Sequence, residues 1–138
     1  MKAKITWING RAFLGESGSG HSVVMDGAPD SGGRNIGVRP MEMLLLGLGG
    51  CSAFDVVMIL EKSREKVTGC EVEMDAERAS EDPKVFTSVK MIYTVTGKDL
   101  KPGSVERAIK LSADKYCSAS KMFELSATLE HQWKIIDA

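Results

Sequence analysis

Three cysteines, Cys51, Cys70 and Cys117, are the residues of this sequence best suited to chemistry. A thiolate that attacks a peroxide becomes a sulfenic acid, and a second thiol condenses with that acid to a disulfide. One attacking thiol and one resolving thiol therefore form a complete set for reducing a peroxide, with no cofactor and no metal ion. Other thiol chemistry fits less well. The number of cysteines is odd and no Cys-x-x-Cys pair is present, so neither a disulfide framework nor a structural zinc site is expected. His21 and His131 are far apart in sequence and have no ligand spacing to either cysteine. The run GESGSG at 15–20 lacks the Lys-Ser/Thr of a phosphate loop and reads as a hairpin turn.

Cys51 falls in the middle of a long apolar stretch, one helical turn from Gly47 and from Asp55. Two readings stand at this level. Free cysteine is among the most buried residue types, so Cys51 is a small hydrophobe; or the flanking Gly49 and Gly50 leave space for a reactant above its sulfur. Cys117 lies in YCSAS, at an expected break between helices where Ser118 or Ser120 would cap the next one. A sulfur at a helix start is expected to ionise more easily. Cys70 opens a strand with no partner in view and reads as a structural thiol.

The elements that must position these residues follow from periodicity. Ala3–Ile8, Arg11–Glu16 and His21–Met25 read as three strands joined by Asn9-Gly10 and by the Ser/Gly turn at 17–20. Asp26–Arg39, rich in Gly, Asp and Asn, reads as a long loop of the kind that is often functional. Pro40 suits the first position of a helix running to about Glu65. Cys70–Ala79 alternates Cys70, Val72, Met74 and Ala76 with Glu71, Glu73, Asp75 and Glu77, which is a half-solvated strand. A second strand at Val85–Thr96, helices at Pro102–Lys115 and Ala119–Ser126, and a last strand at Thr128–Ile136 complete the order βββ-α-ββ-αα-β. Strand runs joined by turns imply an α+β fold with antiparallel sheets, and 138 residues suffice for a single domain over 1–138.

The central helix makes a further demand. From Met41 to Leu60 every residue is apolar except Glu42, Ser52, Asp55 and the glycines at 47, 49 and 50. A helix apolar nearly all round is buried on every side, and a chain of this length covers only part of one about 30 Å long. A second copy of the chain is the expected cover, giving an intertwined homodimer whose helices approach at the glycines. The carboxylate of Asp55 argues against reading the stretch as a membrane span. A formal net charge of −1 leaves no electrostatic footprint for nucleic acid. MKAKITWING has no apolar signal core, so free thiols and a cytoplasmic location are expected together.

The segment RPMEMLLLGLGGCSAFDVV, followed by LSADKYCSAS, is similar to the OsmC/Ohr family of organic hydroperoxide reductases and stress-induced proteins. The resemblance covers nearly the whole chain. It implies an OsmC-like homodimer with sheets around central helices and active sites at the interface. It also implies that Cys51 is the peroxidatic cysteine and Cys117 the resolving one. Met41 stands where the peroxidases of the family carry a glutamate, with Glu42 beside it, and Gly18 stands where they carry an arginine. Arg39, Arg34 and Arg11 are the substitutes in the sequence, and Glu42 and Arg39 the positioning groups. The partners implied are a hydrophobic peroxide and a thiol reductant. The alternative is a non-enzymatic dimer that binds a lipid-like small molecule in the interface pocket.

Overall fold

A computed structural model describes all residues, Met1–Ala138. The chain divides into two compact units, Met1–Leu46 and Gly47–Ala138, with the boundary inside the long helix.

In the first unit, β1 (Ala3–Asn9), β2 (Ala12–Ser17) and β3 (Ser22–Met25) form an antiparallel meander. Gly10 turns the first hairpin at φ 54°, in the left-handed region that favours glycine, and Trp7 Nε1 donates to its carbonyl at 3.2 Å. Every residue of β1 is exposed, including Ile5 and Trp7. The expected loop that follows is more ordered than its composition suggests. It holds a single 3₁₀ turn, Pro29–Ser31, and it is gathered around the buried carboxylate of Asp26. That carboxylate accepts from the backbone N–H groups of Gly27 (2.7 Å), Arg34 (3.0 Å) and Ile36 (3.3 Å).

The helix α1 runs Pro40–Lys62, three residues short of the expected end. Arg64 turns left-handed at φ 60°, and the next strand starts at once. In the second unit, β4 (Lys66–Arg78), β5 (Phe86–Lys98) and β6 (Thr128–Asp137) make one sheet in that order. β4 and β5 pair antiparallel, but β5 and β6 pair parallel, which corrects the expectation of antiparallel sheets throughout. The crossover between them is long enough to return the chain to the same end, as parallel pairing requires. It contains α2 (Pro102–Leu111), a π-helical turn (Ser112–Tyr116) and α3 (Ser118–Phe123). The helix expected to reach Lys115 is therefore widened by one residue per turn in its last part.

The inner face of β5 carries Val89, Met91, Tyr93 and Val95, all fully buried. The buried residues of α1 are Leu48, Gly49, Ser52, Asp55, Val56 and Leu60, and this face turns to the sheet of its own unit. At Gly49 a Cβ would lie 2.5 Å from Met74 Cε, so the end of that flexible side chain would have to move aside. The opposite face is not covered by the chain: Leu44, Leu46 and Phe54 are exposed, and a Cβ at Gly47 or Gly50 would meet nothing within 4 Å. Only 33% of the most apolar window of α1 is buried within one chain, in keeping with the expectation that a chain of this length covers only part of the helix.

Candidate functional site: two thiols and a buried polar network

Cys51 is half-buried on α1, and Cys117 is fully buried at the junction between the π-helical turn and α3. The two thiols lie close enough for Cys51 to act on the ionisation of Cys117. Burial pushes the Cys117 thiol up, and its side-chain interaction with Cys51 and the charge Cys51 can carry push it further, with Ser120 pulling the other way. This reverses the expectation that a helix start would make Cys117 ionise readily. Desolvation of a thiolate outweighs the few N–H groups of so short a helix. Cys117, rather than Ser118 or Ser120, is the cap: its sulfur accepts from the Ser120 backbone N–H at 3.3 Å. The Ser120 hydroxyl, also buried, has no hydrogen-bond partner of good geometry.

A chain of buried polar side chains lies alongside. Ser112 Oγ donates to Asp55 Oδ2 at 3.0 Å, Ser52 and Ser112 lie 3.4 Å apart through their hydroxyls, and Ser52 meets the Tyr93 hydroxyl at 2.6 Å. Burial pushes Tyr93 up to about 12, with Ser52 lowering it and the charges of Cys117 and Cys70 raising it. Its phenol therefore keeps its proton at neutral pH. His131, on β6, stacks on Tyr93 with ring centroids 6.1 Å apart. Burial lowers its pKa, against the charges of Glu124 and Asp114, and its Nε2 is buried without a partner. Of this network, the sequence points to Asp55 as a neighbour of Cys51 and as a carboxylate within the apolar stretch. Ser52, Tyr93 and Ser112 carried no signal beyond an unusual place for a polar residue: mid-stripe on a helix or on the inner face of a strand.

Cys70 stands within β4 rather than at its start. It is half-buried, and burial followed by the charge of Glu71 raises its pKa. It borders a groove of about 510 Å³ along α1, with Gly50, Ala53, Phe54, Val57 and Met58. No three His, Cys, Asp or Glu side chains are grouped to hold a metal ion.

The other predicted site residues belong to the first unit. Arg39 and Glu42 come together, with the Glu42 carboxylate accepting from the Arg39 backbone N–H at 2.8 Å at the start of α1. The Arg39 guanidinium donates to Asn35 Oδ1 at 2.9 Å and to the Gly37 carbonyl at 3.1 Å. Arg34 is bonded to Asn9, and Gly18 sits in the β2–β3 turn with its N–H on the Lys2 carbonyl at 2.8 Å. An open cleft of about 390 Å³ beside this sheet is lined chiefly by apolar groups, among them Ile5, Val23, Met25 and Met43, with His21 at its rim.

Residues 31–132 match the family described as OsmC-like protein. The chain belongs to the OsmC-like family. It is 46% identical to Protein YhfA of Escherichia coli strain K12 over 138 residues, covering 100% of both chains. Among solved structures, a hypothetical protein from Aquifex aeolicus VF5 is 27% identical with a TM-score of 0.87, covering 99% of this chain and 96% of that one. The organic hydroperoxide resistance protein OhrB of Bacillus subtilis has a TM-score of 0.65 at 19% identity, over 97% and 98% of the two chains. At that identity the likeness is one of fold. The OsmC-like fold, with its two sheets and long central helix, thus unites this chain with hydroperoxide-resistance proteins.

Proposed function

We propose that this OsmC-like protein reduces organic hydroperoxides through Cys51 and Cys117 and protects against oxidative stress. The observation that supports the reading is that the two thiols, one half-buried and one fully buried, lie close enough for Cys51 to act on the ionisation of Cys117. Cys51, as thiolate, attacks the outer peroxide oxygen. The S–O bond forms as the O–O bond breaks, the alkoxide takes a proton and leaves as an alcohol, and Cys51 is left as a sulfenic acid. The Cys117 sulfur then displaces the hydroxyl group, which leaves as water with the proton from Cys117. A thiol reductant restores both cysteines. Glu42 and Arg39 enter as the positioning groups that the family resemblance implies. The chain acts as a single domain in a cytoplasmic homodimer. The uncovered face of α1, with Phe54 exposed and open space at Gly47 and Gly50, supports the second copy. Ser52 and Asp55 bond to protein side chains on the other face, which favours a core helix over a membrane span.

The deciding experiment mixes reduced protein with cumene hydroperoxide and follows peroxide loss and free thiols. Peroxide should fall and a Cys51–Cys117 disulfide should form. Untouched peroxide and thiols would refute the enzyme, and full turnover by Cys51→Ser would refute the choice of nucleophile. The apolar cleft beside Ile5, Val23, Met25 and Met43 supports a second reading, a binder of a hydrophobic small molecule. Native mass spectrometry that finds only empty protein after incubation with a fatty acid would count against it.

A further inference from the structure

Ser112 occupies a joint that the peroxide chemistry above leaves unexplained. Its hydroxyl donates to Asp55 and lies 3.4 Å from that of Ser52, both on α1 within the turn that follows Cys51. Its carbonyl accepts the backbone N–H of Cys117 at 2.8 Å across the π-helical turn. One residue thus ties the helix that carries Cys51 to the segment that carries Cys117. The proton order follows from Asp55. A carboxylate can only accept, so the Ser112 proton is committed to Asp55 and the Ser112 oxygen is left as an acceptor toward Ser52, whose hydroxyl also meets that of Tyr93 at 2.6 Å. Ser52, Ser112 and Tyr93 are fully buried and Asp55 nearly so. Burying four polar side chains costs stability unless each is bonded, and an apolar cluster of the same shape would hold the helix equally well. What a directional network adds is a fixed geometry. π-helical turns are themselves concentrated at functional sites.

We propose that Ser112, clamped by Asp55 and Ser52 and backed by Tyr93, is a positioning residue for the closure of the Cys51–Cys117 disulfide. The role deepens the peroxidase reading, resting on its choice of cysteine pair but not on its choice of oxidant. In the closing step the S–S bond forms, the Cys51 S–O bond breaks, and the Cys117 proton leaves with the hydroxyl group as water. Ser112 contributes no electrons and no proton. It holds the attacking sulfur in line.

The test uses full-length protein carrying Cys70→Ser, so that only two thiols remain, with and without Ser112→Ala or Asp55→Asn. Folding is verified by circular dichroism. Disulfide closure is driven by diamide, an azo oxidant that takes two thiols to one disulfide, and is read by mass spectrometry after quenching. The same pair is equilibrated with glutathione buffers, and Cys51 alkylation by iodoacetamide is timed. Ser112→Ala should slow closure by about tenfold or more, the scale of a small misplacement of reacting groups. It should shift the glutathione equilibrium toward the dithiol and leave Cys51 alkylation unchanged. Asp55→Asn keeps an acceptor oxygen and should fall between. Closure and equilibrium unchanged in Ser112→Ala would overturn the proposal, as would alkylation slowed in step with closure. If Ser112→Ala does not fold, Ser52→Ala decides by the same three readouts. A parallel arm uses cumene hydroperoxide. If diamide gives the expected pattern while the peroxide leaves the thiols reduced, positioning stands and the peroxidase reading fails. If diamide leaves the pair open in the protein with Ser112 intact, positioning is refuted.

Discussion

Gly50→Ala is the smallest change that weighs the lone chain against the dimer. Within one chain the added methyl meets nothing within 4 Å. In an exposed helix interior, replacing glycine by alanine stabilises by about 1 kcal/mol. A solitary chain should therefore become more stable. Against a second helix seated on the same face, the methyl has nowhere to go, and overpacking costs about 1–3 kcal/mol. A two-fold interface meets the change twice, so association should weaken by about 2 kcal/mol or more, at least about thirtyfold in Kd. The helix-propensity gain belongs equally to free and paired chains and drops out of that constant. Sedimentation over a range of protein concentrations reads Kd, and urea unfolding at the same concentrations reads stability. Gly49→Ala is the internal control. Its Cβ would press on Met74 inside the chain, 2.5 Å from Cε and 2.9 Å from Sδ. Because that methyl faces β4 of its own chain, the change should leave Kd unaltered to first order. The dimer reasoning fails if Gly50→Ala sediments as the unaltered protein does and is more stable at every concentration.

Three other outcomes are expected. Cys117→Ser should still consume one equivalent of peroxide and stop at a dimedone-reactive sulfenic acid on Cys51, as mass spectrometry would show. Burial opposes ionisation of Asp26, but its three backbone N–H partners hold its carboxyl below the usual carboxylate range. Its folded pKa is thus the lower one, so its stabilisation is present above the unfolded pKa of about 3.9 and is lost as pH falls through the folded value. Thermal melts of Asp26→Asn from pH 7 to 3 should show a flatter acid limb than the unaltered protein. Burial lowers the pKa of His131, so folding favours the neutral ring, and stability should decline as pH falls from about 6.5 toward the folded value. In melts between pH 7 and 5, His131→Gln should lose that part of the slope; an unchanged slope would refute the assignment.

The strands were legible because one face of each is apolar. Val72, Met74 and Ala76 alternate with acids that water must reach, and the observed strand keeps that alternation. Direction was not legible. A period of two reads the same whether β6 runs with β5 or against it, and only the length of the crossover distinguishes them. The stop at Leu111 was hidden for a similar reason: the residues of a π-helical turn have no composition that a regular helix lacks. The cap at Glu42 was present as a spacing from Arg39, but its meaning depended on which residue began α1. Any approach of Cys51 to Cys117 is tertiary. Two strands and a helix separate them in sequence, so the roles proposed for them followed from resemblance and not from any local pattern. Ser52, Ser112 and Tyr93 were missed because each is unremarkable alone; their burial together is what makes them informative.

The parallel pairing of β6 gives this molecule an order of assembly. Synthesis runs from the amino end, so both cysteines are made before Thr128–Asp137, the strand that closes the sheet behind Tyr93. Non-local pairings of that kind form late, since the loop entropy must be overcome first. A chain cut short before Thr128 keeps every cysteine yet lacks the ring of His131 that stacks on Tyr93. The setting of Tyr93, whose hydroxyl meets that of Ser52, is thereby finished only when β6 docks on β5.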